Sequence, residues 1–144
     1  MGKVSIVYWS GTGNTETMAA AMAEGAKDAG AEVELLTVDK ADAAALSETK
    51  AFALGCPAMG AEVLEEGEME PFMAELDSRI AGKTIALFGS YGWGGGEWMR
   101  DWESRVVSDG AAVLSGEGII ADNAPDDDVL AECRAAGAKL AALV

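Results

Sequence analysis

The chain has 144 residues, half of them hydrophobic, and 25 acidic side chains against 10 basic ones leave a net charge of −15. That size suits one domain with a substantial core, and so much negative charge sets phosphate backbones and anionic lipid aside as partners. Histidine is absent, no apolar run reaches the roughly 20 residues of a bilayer span and no signal peptide precedes the first strand pattern, so a cytoplasmic protein is expected whose chemistry belongs to a cofactor.

A first strand is expected over Val4–Tyr8, rich in β-branched residues. The loop Ser10-Gly11-Thr12-Gly13-Asn14-Thr15 follows and runs into a helix over Thr15–Asp28, with Met18, Ala21, Met22 and Ala26 on one face. This loop suits a phosphate. Its glycines let backbone N–H groups turn inward, its hydroxyls and amide add donors, and the helix N-terminus contributes about half a positive charge. No cationic side chain is needed, and the helix has none before Lys27. A nucleotide P-loop would require Gly-Lys-Ser or Gly-Lys-Thr here, and a dinucleotide fingerprint would require a third glycine where Glu16 stands.

A second strand is expected over Val33–Val38, a short crossover over Ala41–Leu46 and a third strand over Ala51–Leu54. Beyond it, Gly55-Cys56-Pro57-Ala58-Met59-Gly60-Ala61-Glu62 sets a polarisable methionine beside a glycine; Met59 either packs on a flat ring or fills core. Acidic residues Glu62, Glu65, Glu66, Glu68 and Glu70 crowd the approach to a helix over Met69–Ile80, as a docking surface or as a solvated face. The fourth strand, Thr84–Phe88, leads to Gly89-Ser90-Tyr91-Gly92-Trp93-Gly94-Gly95-Gly96. Glycines are costly to order and give little core, so two aromatics among five of them suggest backbone and rings set against a ligand. A helix over Glu97–Val107 is expected to bury Trp98 and Trp102. Ala111–Leu114 with Gly118–Ala121 forms the last strand and Asp126–Leu143 the last helix, and Cys56 and Cys133, in no metal or redox spacing, read as buried apolar residues.

Five strands alternating with helices make an α/β, doubly wound parallel sheet with helices on both faces. Ligands bind such sheets beyond the carboxyl ends of the strands, where the first, third and fourth strands end in these loops.

The motifs Tyr8-Trp9-Ser10-Gly11-Thr12-Gly13-Asn14-Thr15-Glu16, Gly55-Cys56-Pro57-Ala58-Met59-Gly60 and Leu87-Phe88-Gly89-Ser90-Tyr91-Gly92-Trp93-Gly94, in that order, resemble those of bacterial flavodoxins. With no long insertion in its last strand, the chain is similar to their short-chain group. The resemblance implies a single flavodoxin-like domain over residues 1–144, strand order 2-1-3-4-5, and one non-covalent FMN. It implies that Ser10, Thr12, Asn14 and Thr15, with the backbone of Gly11 and Gly13, hold the FMN phosphate. Ala58 and Met59 would line one face of the ring and Trp93-Gly94 the other; Glu62 would accept from the ring N3–H, and Ser90, Tyr91 and Gly92 would line the ring and its ribityl chain. The Gly60-Ala61 peptide would turn its carbonyl towards flavin N5–H on one-electron reduction.

A buried flavin anion beside a phosphate in so acidic a protein is costly, which makes the second reduction difficult. The implied function is thus a low-potential, one-electron carrier shuttling between semiquinone and hydroquinone, a monomer serving redox proteins with basic docking faces, and not an enzyme. An FMN-dependent NAD(P)H:quinone-type reductase, the alternative, needs a substrate pocket over the flavin that short loops leave little material for. A signalling receiver domain of the same strand order needs acidic residues where Trp9 and Ser10 stand.

Overall fold

The computed structural model describes residues 2–60 and 62–144. Its strands are β1 (Lys3–Tyr8), β2 (Glu32–Thr37), β3 (Ala51–Gly55), β4 (Thr84–Tyr91), β5 (Ala112–Val113) and β6 (Ile119–Asp122). Its helices are α1 (Asn14–Asp28), α2 (Ala43–Leu46), α3 (Met69–Leu76), α4 (Glu97–Ser108) and α5 (Asp127–Leu143). The strands form one parallel sheet in the order β2-β1-β3-β4-β5, with β6 also beside β4.

The expected doubly wound sheet is present, and three details differ from the sequence expectation. The last lane comes in two pieces, with β5 opposite Thr84 and Ile85 and β6 opposite Phe88–Tyr91. Between them a 3-10 turn over Leu114–Gly116 swings the chain outward, with Ser115 at φ 63° and Gly116 at φ 87°. Val38 opens a 3-10 turn instead of closing β2. Helix α3 stops at Leu76, because the chain tightens into i→i+3 bonds from Arg79 N to Leu76 O and from Lys83 N to Ile80 O; Ile80 is still fully buried.

Side-chain alternation divides the core by size. On β3 the large Phe52 and Leu54 face the cluster that holds Met73 and Leu76 of α3 and Trp98 and Trp102 of α4. The small Ala51 and Ala53 face the opposite cluster, with α1 and α5. The second face is rich in alanine, so its helices approach closely: a Cβ on Gly25 of α1 would collide with the Arg134 carbonyl of α5, and one on Gly137 of α5 with the Met22 carbonyl of α1. Two glycines thus seat these helices against each other, backbone to backbone. Cys133, in the same cluster, and Cys56 are buried free thiols, and burial pushes both up to about 12, so they stay neutral and packed.

A charged knot joins α3 to α4. Arg105 donates through Nε to Asp77 Oδ1 at 3.1 Å, and its other nitrogens reach Asp77 Oδ2 at 2.7 Å and Glu70 Oε1 at 2.8 Å. Asp109, at the end of α4, abuts Asp77 with its Oδ2 buried and without a hydrogen-bond partner. Burial first, and then the Asp77 carboxylate, push Asp109 up to about 6, whereas the guanidinium of Arg105 holds Asp77 below its ordinary value against the opposing effect of burial. A carboxyl raised in the folded state stabilises fully below its unfolded value near 3.8, and that contribution is lost as pH rises through 6. Asp109→Asn keeps a donor for Asp77 and removes the charge. The variant should therefore melt above the parent at pH 7 to 8, and the difference should close as the pH falls below about 4.

Candidate functional site

The carboxyl ends of β1, β3, β4 and β6 lie together because the hydrogen-bond ladder continues past the strands. Trp9 N donates to Gly55 O (3.0 Å), Cys56 N to Phe88 O (3.0 Å), Ala58 N to Ser90 O (3.0 Å) and Asn123 N to Tyr91 O (2.7 Å). From the side, the buried Trp98 indole of α4 donates to Cys56 O at 2.9 Å, and its ring lies 5.6 Å from that of Tyr91.

These loops enclose a cavity of about 270 Å³. Gly11, Thr12 and Asn14 line it from the first loop, Ala58 and Met59 from the second, and Ser90, Tyr91 and Gly92 from the third. Eight of the sixteen residues singled out in the sequence therefore share one cavity. Trp9, Pro57 and Asn123 line it as well and were missed. Asn123 carried a signal: it ends the apolar run Gly118–Ala121, the same position at a carboxyl edge that drew attention to the other loops. Its φ of 61° places it in the left-handed region, which asparagine tolerates.

The first loop is shaped around an acceptor. Gly13 N and Glu16 N both point at Ser10 Oγ, at 3.1 and 3.3 Å. Gly13, at φ 99°, holds the N-cap position of α1 and has no side chain to cap the helix, so Ser10 Oγ takes the Glu16 amide in its place. Amides converging on one oxygen at a helix N-terminus are the arrangement that suits an anion. Thr15 faces the other way: it is 1% exposed, its Oγ1 lies 3.2 Å from Ser90 Oγ, and it accepts from Ser90 N at 3.3 Å. Here it fastens the start of α1 to the end of β4.

Gly60, Glu62, Trp93 and Gly94 lie outside the cavity wall. Glu62, at φ 54°, accepts from Glu97 N at 2.9 Å and so caps α4. Gly94 touches that carboxylate, and Trp93 is 63% exposed beside it. Gly60 is exposed, with room for a Cβ, and Ala61 lies outside the described residues. Besides Glu62, two members of the acidic cluster have structural tasks. Glu70 pairs with Arg105. Glu65 accepts from the amides of Gly67, Glu68 and Met69 at 2.7, 2.6 and 3.0 Å; burial opposes its ionisation, but the three amides outweigh it and hold the carboxyl below its ordinary value. Glu66 and Glu68 are exposed, and Glu68 accepts from Trp9 Nε1 at 3.2 Å.

Comparison with known proteins gives a consistent result. The family model described as Flavodoxin matches residues 6–137. A flavodoxin of Clostridium beijerinckii is 48% identical over 124 residues, which is 86% of this chain and 89% of that protein. A flavodoxin of Megasphaera elsdenii is 46% identical over 135 residues, 92% of this chain and 98% of that one. The solved structure of the two-electron reduced Megasphaera elsdenii flavodoxin superposes with a TM-score of 0.86 at 44% identity, covering 94% of this chain and 98% of that chain.

The Thr15–Ser90 contact is the buried polar tie between two of the loops. Thr15→Val leaves the Ser90 N–H and hydroxyl without their partner and should cost about 1–2 kcal/mol, read from the urea midpoint, while Thr15→Ser should restore most of it.

Proposed function

The chain belongs to the flavodoxin family, and from that premise we propose how its residues hold FMN and serve electron transfer. It is an FMN-binding electron carrier, not an enzyme, and it works with redox partner proteins. When bound, FMN supplies the redox chemistry by taking up and releasing electrons; the protein supplies position and electrostatics.

The observation that carries the reading is the convergence of Gly13 N and Glu16 N on a single oxygen at the start of α1. Residues 10–14 would hold the phosphate there, with Thr12 and Asn14 projecting from the cavity wall as further donors. Thr15 would contribute by anchoring that helix to β4. Ala58, Met59, Tyr91 and Gly92 would flank the ring system, since they line the same cavity. Trp93, so exposed beside Gly94, would cover the outer ring face and exclude water from it. Glu62, already at the third loop through Glu97 N, would present its carboxylate to a ring N–H, and the Gly60-Ala61 peptide would stand near N5. Gly60 has space for a Cβ as it stands, and a glycine there would let the backbone take a second orientation. The sequence relatives, 46–48% identical over most of the chain and named flavodoxins, favour the carrier over the reductase.

The finer assignments follow the charge. The whole of residues 1–144 would act as one FMN-binding unit, operating as a low-potential one-electron carrier because its net charge of −15 opposes adding negative charge to a buried group. The same charge keeps copies apart as monomers and favours partners with basic faces around Glu66 and Glu68. Two free, buried cysteines suit the cytoplasm. No helix among the described residues is long and apolar enough to cross a membrane.

The test is ligand titration of the stripped protein, following quenching of flavin fluorescence. FMN should bind at one per chain, and Thr12→Ala or Asn14→Ala should weaken FMN roughly tenfold, as expected for one hydrogen bond to a charged group, while leaving riboflavin unchanged. Equal losses for FMN and riboflavin would overturn the placement of the phosphate. In a second measurement, Glu66→Gln with Glu68→Gln should slow reduction by a basic reductase several-fold at low salt and hardly at all above about 0.5 M. An unchanged rate at low salt removes the acidic face from docking.

A further inference from the structure

Strand β6 has β4 as its strand partner on one side, and its other edge opens into a groove between the two helical layers. The groove, of about 400 Å³, has Met99 and Glu103 of α4 on one wall and Val129 and Glu132 of α5 on the other, with Ile120 on its floor. A second cavity of about 270 Å³ opens where the 3-10 turn leaves β4 uncovered, and Glu117, Gly118 and Glu132 line both. The two therefore meet along the broken edge of the sheet.

Two features define what fits. The first is backbone: Gly118 N–H is directed into the groove and satisfied by Glu103 Oε2 at 2.6 Å, and by the alternation of a strand Ile120 turns its N–H and C=O the same way. An unpaired edge of this kind is a template for another strand. The second is charge: among the described residues Glu103, Glu117 and Glu132 have no ion pair, while the groove's Arg100 is held by Glu97 at 2.7 Å and Lys139 of the second cavity donates to Ser115 Oγ at 2.9 Å. We propose that this edge is a docking site for an extended segment of a partner protein carrying lysine or arginine at alternate positions, which pairs with β6 and directs its cations at Glu117 and Glu132. The apolar Ile120, 36% exposed, and Val129 receive the intervening side chains. A second copy of the chain is a poor occupant, because it would bring the same carboxylates, and a net charge of −15, against each other.

The experiment is an amide NMR titration of the FMN-loaded full chain with a capped octapeptide of alternating lysine and valine. Shifts confined to residues 117–122 and their helical neighbours are expected. Affinity should fall at least tenfold in Glu117→Gln with Glu132→Gln, and equally when two valines of the peptide become proline, which keeps the charge and removes the ladder donors. Shifts centred on residues 62–70, or full binding by the proline peptide, would show simple charge attraction and overturn the proposal. No binding overturns it as well. Concentration-dependent shifts at Ile120 without peptide would assign the edge to self-association instead.

Discussion

Everything at the candidate site depends on the parallel ladder running past the ends of its strands. The bonds from Trp9 N, Cys56 N, Ala58 N and Asn123 N each tie the first residues of a loop to the neighbouring strand or loop. Ordering a residue costs about 1–2 kcal/mol of backbone entropy, so a wall of free loops would have to recover that cost from a ligand. Here the sheet has already met it for the residues nearest the strands. The cavity between Thr12, Met59 and Tyr91 is consequently set in large part by strand register, whereas Gly60 and Trp93, outside its wall, are exposed.

The size asymmetry of the core serves the same end. Alanines on one face let α1 and α5 lie close, and the reciprocal contacts of Gly25 and Gly137 set their approach. That packing, with the Thr15–Ser90 bond, aims the N-terminus of α1 at the cavity. On the other face the large Phe52, Leu54 and Leu87 carry α3 and α4, and α4 returns a contact to the site through the Trp98 indole on Cys56 O. One helix thus delivers its dipole and another clamps the middle loop, each from the face whose side chains fit it.

Most of this was legible in the sequence, because strand and helix periods and glycine-rich loops are local signals. Ala51–Leu54 and Thr84–Phe88 read as strands from their apolar runs, and the first is buried throughout and the second from Ile85 on, as expected of a sheet covered on two sides. The break in the last lane was not legible, since it turns on Ser115 adopting a positive φ, a conformation a serine gives no notice of. Nor was the end of α3: the apolar spacing runs on to Ile80, which is buried from a turn as well as it would be from a helix. In the site, composition identified the loops but not the direction of side chains within them. Thr15 and Asn14 read alike as phosphate donors, yet Asn14 lines the cavity and Thr15 binds Ser90. Glu62 read as a ring acceptor, and its visible partner is the amide of Glu97. Such distinctions rest on contacts between residues 35 and 75 positions apart, beyond the reach of local pattern.

An anion cradle, as proposed, in a protein of net charge −15 poses an apparent contradiction, and length scale resolves it. At physiological salt the field of distant carboxylates is screened within about 8 Å, whereas amides about 3 Å from an oxygen act with no solvent between them. Gly13 N and Glu16 N, already aimed at Ser10 Oγ, work at that short range. The acidic surface would act at the longer one, on the encounter with a basic partner. Because the two ranges do not compete, the proposed phosphate site needs no cation, which would weaken the field that a basic partner would meet. The lack of lysine and arginine between Lys3 and Lys27 is then compatible with both proposed tasks at once.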